Sequence, residues 1–333
     1  MKSITKRQLA PDEIQAVMRT AFGESGQVVS ITEFTDGWFA GVYGVTLADG
    51  QDVVLKASPE PTLPMLRYEV DLAHAEIEFY RRATGAGVPV PAVRYADPDG
   101  GYLITDRLQG HSLHKIKETM SPAQVEGVYR NLGALAARLH TVTGGAFGYL
   151  RRDGRTRSDS WRTSFLAFID DIVADAVEYD RKLPAPAPTI AQLVRRNADV
   201  LDEVREPVLV HFDLWDGNVF VRPTGGDGAG DGDGDGGYTI EGVIDGERTF
   251  YGDPIAEFVA MGALGDSTPG LLEGYFGEDR PLTDGERQRG HLCSVYLDLI
   301  MLTEGAVRGF DPAEHAGIHR WVFQRLEQTL DLL

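Results

Sequence analysis

Ile14, Val17, Met18 and Ala21 recur at i, i+3, i+4 and i+7 behind Pro11, and Gly23 interrupts the series. That spacing predicts a short amphipathic helix. Three short β-rich runs follow, over residues 28–34, 41–47 and 52–57, with Ala48-Asp49-Gly50 as a hairpin turn between the last two. The pattern then switches to a helical period over residues 66–84, which Gly85-Ala86-Gly87 ends. The prolines of Val88-Pro89-Val90-Pro91 permit only extended backbone. Two further strands are predicted at 92–95 and 102–105 around the turn Pro98-Asp99-Gly100-Gly101.

Beyond Gly110 helical patterns dominate. Ser121-Pro122-Ala123-Gln124 reads as a capping box with proline at the first helical position, opening a helix to about His140. A second helix is predicted over 161–179, and Thr189-Ile190-Ala191-Gln192 reads as the box of a third, after the proline-rich link 184–188. An island of strands at 208–210, 219–221 and 238–244 interrupts them, and helices resume at Pro254. A β-rich first third and a helical remainder predict a two-lobed α+β protein. The boundary is expected near residue 105, giving a small antiparallel β lobe over 1–105, a larger helical lobe over 106–333, and a cleft between them.

Composition narrows the function classes. With 333 residues, 42% hydrophobic and 25% charged, the chain falls in the globular range and outside the disordered, collagenous and membrane-spanning ones. A net charge of −19 repels polyanions, which argues against nucleic acid and anionic membranes as partners and favours a cationic or neutral one. The single cysteine, Cys293, cannot form an internal disulfide or a thiolate metal site and is expected to be buried. The first residues carry no apolar signal core and no run approaches 18 apolar residues, so a cytoplasmic location is expected. Asp231, Asp233, Asp235 and Gly236 superficially resemble a calcium loop, but the twelfth position from Asp231 is Gly242 rather than a bidentate glutamate. A solvated hairpin extension is the expectation there.

The most informative stretch runs Val210-His211-Phe212-Asp213-Leu214-Trp215-Asp216-Gly217-Asn218-Val219. A strand delivers the carboxylate of Asp213, and the amide of Asn218 follows five residues later, just before the next strand. One tight loop can aim both at a shared place, the carboxylate to accept a hydroxyl proton and the amide oxygen to ligate a hard cation such as Mg²⁺. Asp245 ends the strand 241–244 and joins them if the two strands pair as a hairpin.

His-x-Asp-x-x-x-x-Asn followed by Ile244-Asp245 resembles the catalytic loop and metal aspartate of the aminoglycoside phosphotransferase, choline kinase and fructosamine kinase group, which has the protein-kinase-like fold. The likeness spans most of the chain. Residues 36–45 resemble that group's nucleotide loop, although Gly37, Gly41 and Gly44 do not form GxGxxG, and Val54-Leu55-Lys56 resembles its lysine strand. Residues 103–110 resemble its hinge, and Tyr251-Gly252-Asp253-Pro254 its Gly-Asp-Pro.

The resemblance implies a phosphotransferase that uses ATP or GTP with Mg²⁺. Asp213 would be the base, Asn218 and Asp245 the metal ligands, and Lys56 the phosphate-binding lysine. Backbone groups of Asp106 and Leu108 would meet the purine. Among Glu69, Glu76 and Glu78, all placed on the predicted helix, Glu76 is chosen to pair with Lys56, because it precedes Gly87 by about three helical turns. His211 is expected to be structural, Asp253 and Pro254 a helix cap, and Glu257, at a place where the group often has Asp, mainly structural. Phe212 stands where many relatives have Gly and should pack behind the loop; Gly246 replaces the usual Trp or Phe, leaving the packing beside Asp245 open.

The acceptor expected from the charge is a cationic small molecule with a hydroxyl, such as an aminoglycoside or basic peptide antibiotic, which would make the role one of resistance. Asp216, Asp175, Glu178 and Glu257 are candidate acidic lining residues. Leu214-Trp215 resembles the fructosamine kinase version of the loop and keeps a ketoamine or other metabolite acceptor as an alternative. A catalytically silent nucleotide-binding protein of the same fold is a further alternative, against which the joint presence of Lys56, Asp213, Asn218 and Asp245 argues.

Overall fold

The β-rich first third folds as a five-stranded antiparallel sheet behind helix α1 (Pro11–Phe22), with β1 (Val28–Phe34), β2 (Gly41–Leu47), β3 (Asp52–Ala57), β4 (Val93–Asp97) and β5 (Tyr102–Asp106) in the order β1-β2-β3-β5-β4. The computed structural model describes residues 3–224, 237–264 and 268–333, so the calcium-like aspartates lie outside the described residues. Alternation along β2 and β3 turns Tyr43, Val45, Leu47, Val53 and Leu55 onto Ile14 and Met18 of α1, all fully buried. The same alternation turns Lys56 to the opposite face, where α2 (Leu72–Gly85) lies. Phe79, Tyr80 and Ala83 of α2 belong to a core continuous with the second lobe.

That helix begins at Leu72, six residues later than the periodicity suggests. Asp71 takes a left-handed conformation (φ 62°), and the preceding segment is drawn away by ion pairs to the helical lobe. Arg67 pairs with Asp175 and Glu178, and Glu69 accepts from Arg308 at 2.9 Å and from the Leu66 N–H at 2.8 Å. Glu69 is therefore not a helix residue.

The second lobe adds β6 (His111–Ser112), α3 (Leu113–Ile116), α4 (Pro122–Leu139), β7 (Gly148–Tyr149), α5 (Trp161–Glu178), α6 (Ala187–Arg196), β8 (Val208–Val210), β9 (Val219–Pro223), β10 (Tyr238–Val243), β11 (Phe250–Gly252), α7 (Glu257–Met261), α8 (Leu271–Phe276), α9 (Asp284–Arg308) and α10 (Pro312–Leu330). The Ser121/Gln124 capping box of α4 is formed. The one expected at Thr189 is not: α6 starts at Ala187 behind Pro186, because a proline within the first turn removes no internal hydrogen bond. β9 and β10 pair as an antiparallel hairpin, and β8 pairs with β11. Trp161, Phe165, Phe168, Phe212, Phe250 and Tyr296 form the aromatic centre of this lobe, and Cys293 is buried in the same core.

Candidate active site

The loop after β8 is held from behind by a buried carboxylate. Glu257 at the start of α7 accepts from the His211 N–H at 2.8 Å and from the Phe212 N–H at 3.0 Å. Burial alone would raise its pKa, but the hydrogen bond with His140, the neighbouring His211 and the backbone donor hold it below the ordinary range. Those contacts stabilise a left-handed Phe212 (φ 67°), a conformation that costs a residue with a Cβ about 1–2 kcal/mol. The Phe212 ring packs against Phe250 and Tyr296 at centroid distances of 5.0 and 5.7 Å. Glu257 is fully buried with both oxygens engaged, so it does not line an acceptor site.

The turn joins the two strands that carry the polar groups. His211 Nδ1 accepts from the Asp213 N–H at 3.2 Å, which leaves Nε2 to donate to the Ile244 carbonyl at 2.9 Å. Asn218 donates through Nδ2 to the Asp213 carbonyl at 2.8 Å, and its own carbonyl accepts from the Ile244 N–H at 3.0 Å. The Asn218 Oδ1 carries no hydrogen bond among the described residues. Asp213, Asn218 and Asp245 are thus brought to one place by main-chain contacts.

The Asp213 side chain is 22% exposed and its carboxylate makes no hydrogen bond among the described residues. Arg248 Nη1 lies 3.9 Å from its Oδ1. Burial pushes the Asp213 carboxyl up to about 6; Arg248 opposes the shift and Asp245 adds to it. A carboxylate so placed is basic enough to take a hydroxyl proton and is unencumbered.

Beside it, Lys56 Nζ contacts three carboxylates: Asp245 at 2.5 Å, Glu247 at 2.7 Å and Glu76 at 2.8 Å. Tyr80 donates to Glu76 at 3.1 Å and accepts from the Asp245 N–H at 3.1 Å, tying α2 to the end of β10. Burial opposes the charge on Lys56, yet its three partners hold the pKa well above the usual lysine value. Burial also raises Glu76 against the pull of Lys56, and pushes Glu247 up to about 7. Asp245 stays below the ordinary range, because Lys56 outweighs burial there. Glu247 was not foreseen; its signal in the sequence was a carboxylate two residues after the Asp245 that ends a strand.

Oxygens of Glu76, Asp245 and Glu247 lie within 4.8 Å of one another. Three carboxylates around one ammonium leave negative charge in excess once Glu247 ionises, in a mostly buried place. With the free Asn218 Oδ1 and an Asp245 oxygen that Lys56 does not use, these residues fit a hard divalent cation. Gly246 is explained by α2: a Cβ there would stand 2.2 Å from Cδ1 of the buried Phe79, whose ring occupies the space.

The hinge residues are differently engaged. The Asp106 N–H already donates to the Ala92 carbonyl at 2.9 Å and its carboxylate takes Arg94 in two bonds of 2.6 Å, so only its carbonyl is left to offer. The Leu108 N–H has no partner among the described residues, and its side chain lies against Gly242. In the β1–β2 loop, Gly41 and Gly44 fall within β2, where a Cβ would strike the Arg7 carbonyl and the Phe34 ring; they are packing glycines. The loop closes on the helical lobe through Trp38, 5.7 Å from Phe310 and 5.5 Å from His315.

The other acidic candidates are paired internally: Asp216 with Lys117 at 2.8 Å and with Tyr129, and Asp175 and Glu178 with Arg67. Asp253 caps the turn at Pro254 by accepting from the Ile255 N–H at 3.0 Å, and also binds Arg289. Behind Asp213 runs a buried ionic chain that the sequence did not announce. Arg248 bonds Glu304 at 3.0 Å, Glu304 bonds Arg308 at 2.9 Å, and Arg308 bonds Glu69 at 2.9 Å.

Solved structures share this architecture across nearly the whole chain. A fructosamine-3-kinase candidate from Thermobifida fusca superposes with a TM-score of 0.64 at 20% identity, covering 96% of this chain and 100% of that one. The streptomycin–ATP ternary complex of the aminoglycoside phosphotransferase APH(2")-IIa gives 0.62 at 15% identity, covering 97% and 99%. A choline/ethanolamine kinase family protein from Mesorhizobium loti gives 0.59 at 18% identity, covering 96% and 94%. These likenesses establish the two-lobed protein-kinase-like fold. No curated protein sequence matches the chain. The sequence profile described as the phosphotransferase enzyme family matches residues 30–291, and the chain therefore belongs to that family.

Proposed function

We propose that this protein transfers the γ-phosphoryl group of ATP or GTP to a hydroxyl of a small molecule. The observation that carries the reading is the Asp213 carboxylate, free of hydrogen bonds and raised to about 6, on a loop that Asn218 and Asp245 close and beside the Lys56–Glu76 pair. Asp213 orients the acceptor hydroxyl and takes its proton as the acceptor oxygen bonds to phosphorus. The bond from phosphorus to the β-phosphate oxygen breaks, and the nucleoside diphosphate leaves with that electron pair. Lys56, steadied by Glu76 and Glu247, is turned to the α- and β-phosphates. Asn218 and Asp245 would hold Mg²⁺, which when bound neutralises phosphate charge. The Asp106 carbonyl and Leu108 N–H are suited to the purine edge. Catalysis by this site is positioning and charge stabilisation, with no covalent enzyme intermediate.

For the acceptor, the net charge of −19 favours an amino-bearing molecule such as an aminoglycoside or basic peptide antibiotic. A relative in fold is described with streptomycin and ATP, which supports both the nucleotide and this acceptor class. A ketoamine acceptor is the second reading, favoured by Leu214-Trp215: Trp215, on the same loop as Asp213, rests beside His114 at 5.2 Å yet is 42% exposed, which leaves part of it to cover an apolar acceptor face.

Mg²⁺-dependent nucleotide consumption measured with ATP and GTP across aminoglycosides, basic peptides, macrolides, choline, homoserine and a ketoamine tests the reading. Stimulation by one class supports it and names the acceptor. Nucleotide binding with stimulation by none favours the silent form of the fold.

A further inference from the structure

Most arginines of this acidic chain are spent on carboxylates. A cavity of about 470 Å³ between the end of α5 and the corner joining α9 to α10 departs from that habit. Arg181, Lys182, Arg320, His315 and His319 line it, and no carboxylate does. Among the described residues Lys182 and Arg320 have no ion pair, and the Arg181 guanidinium makes one hydrogen bond, from Nε to the Leu302 carbonyl at 3.0 Å. His315 is 6% exposed and its Nδ1 has no hydrogen-bond partner. Burial lowers the His319 pKa, and the neighbouring Arg181 and Lys182 lower it further. Phe310 and Phe323 supply apolar walls, with Phe323 stacked beside His319.

The cavity is separate from the candidate active site. Gly305 lines it, whereas the adjacent Glu304 bonds Arg248, so the ionic chain of α9 stands between the cavity and Asp213. On its other side, Phe310 and His315 touch Trp38 of the nucleotide-side loop.

We infer that this cavity binds a small anionic molecule with an apolar or aromatic body, its phosphate or carboxylate held by Arg181, Lys182 and Arg320 and its body lying between Phe310 and Phe323. The size suits such a ligand, since small-molecule sites run from about 300 to 1,000 Å³. Binding here is independent of phosphoryl transfer, so its failure leaves the proposed reaction untouched.

Calorimetric titration of the full-length protein with phenyl phosphate, benzoate and benzylamine tests it. Saturable binding of either anion is expected, the tighter one identifying the group recognised, with no binding of benzylamine. Because Lys182 and Arg320 are exposed, Lys182→Glu with Arg320→Glu should leave the melting temperature unchanged and weaken the anion at least about tenfold. Lys56→Ala and saturating Mg²⁺–ATP should leave binding intact, which separates this cavity from the nucleotide's phosphate site. No saturable binding by about 10 mM, equal binding of benzylamine, or loss in Lys56→Ala with retention in the double variant would each overturn it.

Discussion

Arg248 stands between two carboxylates, its Nη1 3.9 Å from Asp213 and its Nη2 3.0 Å from Glu304. The guanidinium is close enough to restrain the Asp213 pKa but donates its short bond elsewhere, so the Asp213 oxygens stay open to an acceptor. That division sets a pH dependence. Asp213 is useful as a base only when ionised, so kcat/KM should rise with pH through about 6. Replacing Arg248 and Glu304 together by glutamine removes the restraint without leaving a buried charge alone. The acid limb should then move up by about one pH unit. An unmoved limb would show that Arg248 does not act on Asp213.

The Lys56 cluster predicts a coupling between pH, stability and divalent cations. Folded Glu247 keeps its proton to about 7, whereas its ordinary value is 4.5. Between those values the folded state binds more protons than the unfolded one, so this group's contribution to stability falls as pH rises across that window. Mg²⁺ without nucleotide should reverse the loss, adding about 1.4 kcal/mol at tenfold excess over its Kd. Thermal melts at pH 5 and 7.5, with and without Mg²⁺, should show a larger increment at the higher pH and a smaller one in Glu247→Gln. Equal increments at both pH values would show that the ionisation of Glu247 is not linked to a cation held at Asn218 and Asp245.

Gly246→Ala forces a methyl onto the buried Phe79 ring. A destabilisation of about 1–3 kcal/mol is expected by denaturant unfolding, and Phe79→Leu in the same chain should recover part of it. If Gly246→Ala is neutral, the ring is not the reason for this glycine.

Removing the Glu257 carboxylate leaves the N–H groups of His211 and Phe212 buried without an acceptor. Glu257→Ala should cost about 2–5 kcal/mol and lower kcat through a displaced Asp213, whereas Glu257→Gln, which keeps one acceptor oxygen, should lose less of both. Equal losses in the two variants would show that the side-chain volume, not the hydrogen bonds, fixes the loop.

How much of this was legible in the sequence follows from how each feature is encoded. Lys56 stood out through the resemblance of its strand to the family's lysine strand, whereas the strand–turn–strand around Asp213 and Asn218 is local, so it could be read from spacing. The β9–β10 hairpin that brings Asp245 to them needed only adjacent strands. The chain Arg248–Glu304–Arg308–Glu69 joins three distant parts of the sequence, and only its Glu304–Arg308 step, four residues apart on α9, has a helical spacing, so the whole could not be read. The same contacts explain the misplaced start of α2, since Arg67 and Glu69 fit a helical period yet are pulled toward α5 and α9. Glu247 escaped notice because its partner Lys56 lies 191 residues away.

In the proposed reaction Asp213 takes the proton of the acceptor hydroxyl during phosphoryl transfer. The most direct measurement is the single-turnover rate of phosphoryl transfer from Mg²⁺–ATP to the best acceptor, in the wild type and in Asp213→Asn. A loss of about 10²- to 10⁴-fold in that rate is expected, with nucleotide affinity and melting temperature unchanged. Transfer at the wild-type rate in Asp213→Asn would contradict it.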